Sequence, residues 1–199
     1  MFIFVRMHST VKKSRKVQIE EKATTLFREK GYAATSMRDL AQVLGIEAAS
    51  LYSHIKSKEE LLQKICFRMA DRFFDAWKEV ETEQNSYAAK MQKAAIAYVQ
   101  VITQNTDASA VFFNEWRHLS EPHLSKFLSM RNDYEGRFIE IIEKGIAAGE
   151  FQQVDSKFMM LAILSSLNWT HNWYKPNGKL SPEDVANKLS NLILNGLKK

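Results

Sequence analysis

Apolar residues recur every three or four positions along most of this chain, which is the spacing that places them on one face of an α-helix. The longest such runs extend from Leu61 to Trp77 and from Leu124 to Ile142. Glycines and serine caps separate the runs, so the pattern predicts an all-α fold of about nine helices without a convincing strand. The predicted helices cover roughly residues 10–30, 36–44, 51–55, 57–77, 87–103, 107–119, 120–148, 156–174 and 181–197.

The stretch of residues 31–62 is divided into unusually short helices. Ser36 and Asp39 have the spacing of a capping box, which begins a helix, and Gly45 can adopt the left-handed backbone that turns the chain after it. Another short helix follows before Ser57 opens a long one. Two short helices joined by a glycine turn are typical of a DNA-binding helix-turn-helix.

A recognition helix needs small or polar residues facing outward on an apolar support. Alanine methyl groups can contact thymine methyl groups, and hydroxyl, imidazole and ammonium groups can donate to phosphates. Lys58 also adds charge at a helix N-terminus, where free backbone amides already favour an anion. The candidate DNA-binding residues are Thr35, Ser36, Arg38, Glu47, Ala48, Ala49, Ser50, Tyr52, Ser53, His54 and Lys58.

The charge of the chain is unevenly distributed. The net charge is +5, and residues 1–60 contain 11 Lys and Arg against 7 Asp and Glu. Residues 61–199 contain 17 Lys and Arg against 16 Asp and Glu. The basic excess therefore coincides with the helix-turn-helix, which favours the phosphate backbone of double-stranded DNA as a partner.

The composition narrows the class of protein further. Seven glycines and three prolines argue against a turn-rich β protein, and the single cysteine, Cys66, excludes an intrachain disulfide and suits a reducing compartment. Cys66 lies in an apolar run and is expected in the core. The apolar start, residues 1–6, is too short for a signal peptide or a membrane span, so we expect a cytoplasmic protein without membrane contact. Met7 is an alternative start to Met1.

Residues 10–62 resemble the DNA-binding domain of the TetR family of transcriptional regulators. The matching positions are Gly31, Tyr32, Thr35, Ser36, Asp39, Leu40, Ala41, Gly45, Ile46, Leu51, Tyr52, His54, Ile55, Lys58, Leu61 and Leu62. Two positions depart from the family pattern. Glu47 stands where Ser or Thr often caps the recognition helix, and Ala49 stands where Gly is common.

The resemblance implies two domains and a homodimer. It implies a DNA-binding domain over residues 1–58, with residues 1–9 flexible, and a ligand-binding and dimerisation domain over residues 59–199. In the family, the last two helices form a four-helix interface with their copies. The alternative for the apolar residues of these helices is packing in the core of one subunit. The residues implied for the interface are Leu161, Leu164, Leu167, Leu189, Leu192 and Ile193.

Residues 110–197 are similar to a narrower group, the acyl-CoA-responsive, fatty-acid-degradation branch of the family. The similarity rests on the segments RNDYEGRFIEIIEKGIAAGEF and NWTHNWYKPNGKLSPEDVANKL, and it implies a hydrophobic effector such as an acyl-CoA. Aromatic residues would line the pocket and arginines would bind phosphates. Core packing is the alternative for each aromatic residue, and a salt bridge or solvation is the alternative for each arginine. The candidate ligand-binding residues are Phe113, Asn114, Trp116, Arg117, Tyr134, Asn168, Trp169 and Trp173.

The sequence lacks the common signatures of catalysis. It has no glycine-rich phosphate loop, no paired-cysteine metal spacing and no HExxH, and no Ser/His/Asp set follows from spacing. We therefore expect no enzyme, no catalytic residue, no metal and no cofactor other than an effector.

Three hypotheses fit the chain. The first is a homodimeric repressor that binds a palindromic operator and is released by a hydrophobic small molecule. The second is a helical ligand carrier or enzyme that keeps the helix-turn-helix without a regulatory role. The third is a constitutive DNA-binding protein without inducer control. The basic N-terminal third weighs against the second, and the aromatic-rich C-terminal part weighs against the third.

Overall fold

The computed structural model describes residues 14–198, which form ten α-helices and one 3-10 helix. The α-helices are α1 (Arg15–Lys30), α2 (Met37–Leu44), α3 (Ala48–Tyr52), α4 (Lys58–Glu81), α5 (Tyr87–Gln104), α6 (Thr106–Glu115), α7 (His123–Ala147), α8 (Ser156–Asn168), α9 (Thr170–Trp173) and α10 (Pro182–Leu197). The 3-10 helix is Trp116–His118. The predicted all-α fold is confirmed for these residues, where an isolated bridge between Phe151 and Lys198 stands in place of any sheet.

Local signals in the sequence set most helix ends. Ser36 and Asp39 form a complete capping box at α2, and Gly45 ends that helix in the left-handed conformation, with φ 64°. Asp155 accepts the backbone N–H of Phe158 at 2.8 Å and caps α8, as expected for a short polar side chain at a helix start. These ends were predictable because each depends on residues three or four positions apart.

The start of α1 differs from the prediction. Ser14 caps the helix by accepting from the backbone N–H of Val17, and the predicted beginning at Thr10 lies outside the described residues, as does the segment predicted to be flexible. The periodicity also predicts Val17 on the buried side, yet it is exposed. The buried stripe begins at Ile19, and a residue two positions earlier points about 200° away around the helix.

Two predicted helices are divided in the structure. The helix predicted over residues 107–119 is α6 followed by the 3-10 helix, and the helix predicted over residues 156–174 is α8 followed by α9. Ten α-helices therefore correspond to nine predicted segments. Both divisions lie beside a tryptophan, Trp116 or Trp169, and the two tryptophans line one cavity.

The described residues pack around two hydrophobic cores. Helices α1, α2, α3 and the start of α4 form the head. Its core, the head core, contains Ile19, Phe27, Leu40, Leu51 and Leu62. The boundary between residues 58 and 59 stays a prediction, because α4 runs without interruption from the head core into the second core. Cys66 lies in the head core, where burial raises the pKa of its thiol to about 12, as the core assignment predicts.

The rest of α4 and helices α5 to α10 form the body. Its core, the body core, is built around α5, which packs against α4, α7, α8 and α10. Its centre is aromatic. Phe73 stacks on Tyr98 with ring centroids 4.5 Å apart, and Tyr134 contacts Phe73 and Trp77 edge-on. This cluster supports one wall of the cavity described below.

Helix α6 belongs to both cores. Val111 is fully buried in the head core, whereas Phe112 and Ala108 pack against both the head core and the body core. Arg28 of α1 also pairs with Asp107 of α6 at 2.6 Å. The head therefore rests on a helix whose other side faces the interior of the body.

The two glycines of α7 give a matched test of this packing. A Cβ on Gly145 would lie 2.3 Å from the ring of Phe151, which is almost fully buried and cannot move aside cheaply. We predict that Gly145→Ala lowers the free energy of unfolding by about 2 kcal/mol. Urea denaturation of the purified protein measures the change.

Gly136→Ala is the control. Gly136 lies on the same helix as Gly145, and a Cβ there meets nothing within 4 Å. Alanine is the better helix former, so Gly136→Ala should leave stability unchanged or raise it by up to about 1 kcal/mol. Equal effects of the two substitutions would contradict the packing of Phe151 against Gly145.

Candidate DNA-binding surface and ligand cavity

Helix α3 presents an exposed polar surface on a buried support. Leu51 is fully buried and Ile55, just after the helix, is nearly so. Tyr52 has 54% of its surface exposed although it lies beside Leu51. The remaining predicted residues of this surface are exposed at Glu47, Ala49, Ser50 and Ser53 and half-buried at Ala48 and His54.

The ends of α3 leave several polar groups available. Glu47 occupies the N-cap position without a capping hydrogen bond from its side chain, in keeping with its departure from the family pattern. Ser53 donates its hydroxyl to the carbonyl oxygen of Ser50 at 2.7 Å, which closes the last turn. Arg38 on α2 is exposed, so its guanidinium can reach a partner outside the chain.

The side chain of Thr35 does not lie on this surface. It is 2% exposed, and its hydroxyl donates to the carbonyl oxygen of Gly31 at 2.8 Å. The hydroxyl satisfies a free carbonyl after α1. Contrary to the prediction, it is therefore not available to DNA. Ser36 is exposed, but its hydroxyl is engaged with Asp39 in the capping box.

Lys58 has a structural contact that its position in the sequence did not indicate. Its Nζ donates to the carbonyl oxygen of Tyr32 at 2.8 Å and lies 4.2 Å from the centroid of the Tyr32 ring. Tyr32 in turn stacks on His118 at 5.0 Å. These contacts fasten the turn before α2 to the start of α4 and to the 3-10 helix.

Lys56 is a basic residue of this surface that the sequence interpretation omitted. Its side chain is exposed between α3 and α4, and its backbone N–H donates to the Glu60 carboxylate at 2.8 Å. The signal available in the sequence was a lysine immediately before the Ser57 cap. Ser57 and Glu60 have the spacing of a capping box, but the Glu60 carboxylate accepts from this amide and not from the Ser57 amide, so only the serine half of the box is present.

The body encloses a cavity of about 420 Å³ with a largely aromatic wall. Helices α4 to α9 all contribute to it, and six of the predicted ligand-binding residues line it. These six are Phe113, Asn114, Trp116, Tyr134, Asn168 and Trp169. The wall also includes His171, and it includes Phe73, Phe74, Tyr98 and Met130, which were not among the predicted ligand-binding residues.

Arg117 and Trp173 do not line the cavity, contrary to the prediction. Arg117 lies in the 3-10 helix with its guanidinium 4.6 Å from the centroid of the Trp116 ring. Trp173 lies on α9 and is 41% exposed. Arg131 is the arginine that lines the cavity, and it lies 5.0 Å from the same Trp116 ring and 3.5 Å from Glu135.

Polar groups of the cavity wall are held in fixed positions. Tyr98 donates its hydroxyl to Oδ1 of Asn168 at 2.5 Å. Burial raises the pKa of both Tyr98 and Tyr134, so both phenols stay protonated at neutral pH. The ring of His171 stacks on Phe113 with centroids 5.1 Å apart. The wall is therefore apolar, with a few ordered hydrogen-bonding groups, which is the usual character of a small-molecule site.

An apolar stripe is exposed on α8. Phe158 is 70% exposed and Leu161 is 48% exposed, and Trp169 lies further along the same side. Leu192 on the neighbouring α10 is 66% exposed. Phe158 was not among the predicted interface residues.

Three of the predicted interface residues are buried instead. Leu164, Leu167 and Ile193 lie in the body core, and Leu189 is half-buried against it. Helix α8 is apolar on more than one side, so the sequence could not assign its leucines to the inner or outer face. Only Leu161 and Leu192 of the predicted set are exposed.

Across residues 14–198, no helix combines the length and hydrophobicity that a membrane crossing requires. Among those residues, no three His, Cys, Asp or Glu side chains are grouped as metal ligands would be.

Comparison with known proteins identifies two family models in this chain. Residues 19–65 match the model described as bacterial regulatory proteins, tetR family. Residues 84–197 match the model described as tetracyclin repressor-like, C-terminal domain. Between them the two models leave residues 66–83 unmatched, which are the remainder of α4 and the two residues after it.

Individual relatives cover nearly the whole chain. The HTH-type transcriptional repressor KstR2 of Mycolicibacterium smegmatis is 27% identical over 92% of this chain and 91% of its own length. The structure of the ketosteroid transcriptional regulator KstR2 of Mycobacterium tuberculosis aligns with a TM-score of 0.88 at 25% identity, over 94% of this chain and 97% of that one.

A third relative shares the fold. A crystal structure of AibR in complex with isovaleryl coenzyme A and operator DNA aligns with a TM-score of 0.79 at 23% identity. The alignment covers 90% of this chain and 97% of that one.

Proposed function

Because the chain belongs to the TetR family of bacterial transcriptional regulators, we propose that it is a ligand-responsive repressor that binds a palindromic operator as a homodimer. A hydrophobic small molecule in the body cavity releases it from DNA. A repressor of this kind works on the chromosome, so the cytoplasm is the compartment we propose.

The observation that carries this proposal is the shared helix α6. One helix supplies Phe112 to both cores and Phe113 and Asn114 to the cavity wall. A ligand that moves α6 must therefore move the head or break its packing. A helical protein that merely stored a ligand would not need this connection, and a constitutive DNA-binding protein would not need the cavity.

The operator is read by α3. Its exposed residues Ala49, Ser50 and Tyr52 are small or hydrogen-bonding, and Leu51 holds them rigidly from below. A two-fold dimer places two copies of α3 in successive major grooves about one helical turn apart, which matches a palindromic site. Arg38 and Lys56 are exposed beside α3 and supply phosphate contacts.

The dimer forms through the exposed stripe of α8 and the outer face of α10. Phe158, Leu161 and Leu192 are large apolar side chains that face water in one subunit. A second copy related by a two-fold axis would cover them with the same residues. The predicted residues Leu164, Leu167 and Ile193 support this face from the core instead of contacting the partner.

The effector is an apolar molecule, and an acyl-CoA is the candidate we favour. AibR, which shares the fold, was crystallised with isovaleryl coenzyme A and operator DNA. The cavity of about 420 Å³ can hold an acyl or alicyclic group but not the whole of coenzyme A. Arg131, at the cavity wall, and Arg117, over the same Trp116 ring, are candidates for the phosphates outside it.

Tyr52→Ala tests the DNA-binding surface. The side chain is mostly exposed, so its removal should leave the melting temperature unchanged. We predict about tenfold weaker binding to an operator selected from random-sequence DNA, measured by fluorescence anisotropy, because a groove or backbone contact is lost. Tyr52→Phe removes only the hydroxyl, so it distinguishes the contribution of the hydroxyl to operator binding from that of the ring.

Leu180→Ala is the control, since Leu180 is an exposed apolar residue of the body before α10. It should bind the operator as the unsubstituted protein does. Unchanged binding by Tyr52→Ala would exclude α3 as the reading helix in the orientation proposed.

Leu192→Glu tests the dimer. A carboxylate buried without a partner on each side of a two-fold interface is strongly unfavourable. We predict at least a hundredfold weaker dimer by sedimentation velocity, whereas Leu180→Glu should stay dimeric because Leu180 lies outside the stripe. A dimer that Leu192→Glu leaves intact would place the interface elsewhere.

Asp107→Arg tests the route from cavity to head. It breaks the 2.6 Å pair between Arg28 and Asp107, and both side chains are partly exposed, so the cost in stability should stay below about 1 kcal/mol. We predict that decanoyl-CoA lowers operator affinity severalfold less in this variant than in the unsubstituted protein. Two anisotropy titrations, with and without the thioester, give the ratio.

The double variant Arg28→Asp with Asp107→Arg exchanges the two charges and restores an ion pair. It should recover most of the effect of decanoyl-CoA on operator affinity. A charge reversal at Glu143→Lys, an exposed position of α7, changes the net charge by the same two units in the same direction and is the control for net charge. If Asp107→Arg responded to the thioester as fully as the unsubstituted protein, the α1 and α6 contact would not transmit the signal.

A further inference from the structure

Helices α6 and α9 pack together and carry three buried polar atoms that lack a hydrogen-bond partner within the described residues. These atoms are Oγ of Ser109, Oγ1 of Thr170 and Nε2 of His171. Buried polar atoms are normally paired, so each unpaired one calls for an explanation. His171 alone of the three residues lines the ligand cavity. Its missing partner can therefore come from a bound molecule.

The hydrogen bond on the other ring nitrogen fixes the chemistry of Nε2. Nδ1 of His171 lies 2.6 Å from the carbonyl oxygen of Asn168, which can only accept, so Nδ1 carries the proton. Burial lowers the pKa of the imidazole, which keeps the ring neutral at physiological pH. In this tautomer Nε2 has a free lone pair and acts only as an acceptor.

The ring is also held in place. His171 is 92% buried, since 8% of its surface is exposed, and it stacks on Phe113 at 5.1 Å with 29° between the ring planes. Less than 1 Å² of Nε2 is accessible to solvent, so contact with a ligand would require a small rotation of the ring within the cavity wall. The backbone bond to Asn168 limits how far that rotation can go.

We propose that Nε2 of His171 accepts a hydrogen bond from a hydroxyl group of the effector, so that the cavity selects apolar molecules carrying a hydroxyl over their deoxy analogues. This inference rests on the proposed function, in which the cavity holds an effector. It adds the chemical class of the effector and the residue that distinguishes it.

A neutral hydroxyl fits this position better than a charged donor or a carboxylate. An ammonium group would need a counter-charge, and Glu135, the carboxylate that lines the cavity, already lies 3.5 Å from Arg131. An ionised carboxylate has no hydrogen to donate to Nε2. The neighbouring Phe113 ring favours an apolar skeleton around the hydroxyl.

Equilibrium dialysis of the full-length protein against two matched pairs of probes tests the inference. The first pair is 2-naphthol and 2-methylnaphthalene, and the second is 3-hydroxydecanoyl-CoA and decanoyl-CoA. We expect the hydroxylated member of at least one pair to bind ten times more tightly or better, because its analogue leaves Nε2 buried and unpaired. The pair that shows the preference distinguishes a free alcohol from a thioester.

Variants of His171 assign the preference to Nε2. His171→Phe keeps a ring against Phe113 without the acceptor and should bind both members of a pair equally. His171→Gln keeps an acceptor and should retain part of the preference. His123→Phe is the matched control, since His123 begins α7 and packs against Phe67, away from the cavity wall.

Each outcome decides one of the two proposals. Equal binding of both members of each pair by the unsubstituted protein overturns the role of His171 and leaves the ligand cavity standing. A preference that survives in His171→Phe also overturns it. Failure of all four probes to bind overturns the proposed class of effector and contradicts a ligand-binding cavity for apolar molecules.

Discussion

Helix α6 packs between the two hydrophobic cores and joins the head to the body. Phe112 contacts both cores, and Val111 is buried in the head core although its helix follows α5 of the body. Interiors are close-packed, so a shift of this helix cannot be absorbed without moving its neighbours. The head is held by the same helix that lines the cavity, and cavity and head are therefore mechanically connected.

The coupling we propose is a difference in affinity between two states, which is the only way in which a ligand can shift an equilibrium. A cavity filled with a molecule that fits one arrangement of α6 favours that arrangement. In the proposed dimer, the head binds the operator only when both copies of α3 have the spacing of successive major grooves. In that dimer, a movement of α6 would reach the head through Phe112 and through the pair of Arg28 with Asp107.

Local features of the fold were predictable, and features that depend on distant contacts were not. The capping box of Ser36 and the turn at Gly45 follow from neighbouring residues. The buried hydroxyl of Thr35 and the contact of Lys58 with Tyr32 depend on how separate segments pack. The same reason explains the interface: the sequence shows that α8 is apolar, but only its packing on the body core separates buried Leu167 from exposed Leu161.

The most direct test of the account is fluorescence anisotropy of the purified protein on the DNA upstream of its own gene, with and without decanoyl-CoA and 3-hydroxydecanoyl-CoA. A ligand-responsive repressor should bind this DNA tightly in the presence of competitor DNA, and at least one of the thioesters should weaken that binding. Selective binding that neither thioester changes would contradict the acyl-CoA effector. An absence of selective binding there, together with failure to select any operator from random-sequence DNA, would contradict the repressor itself.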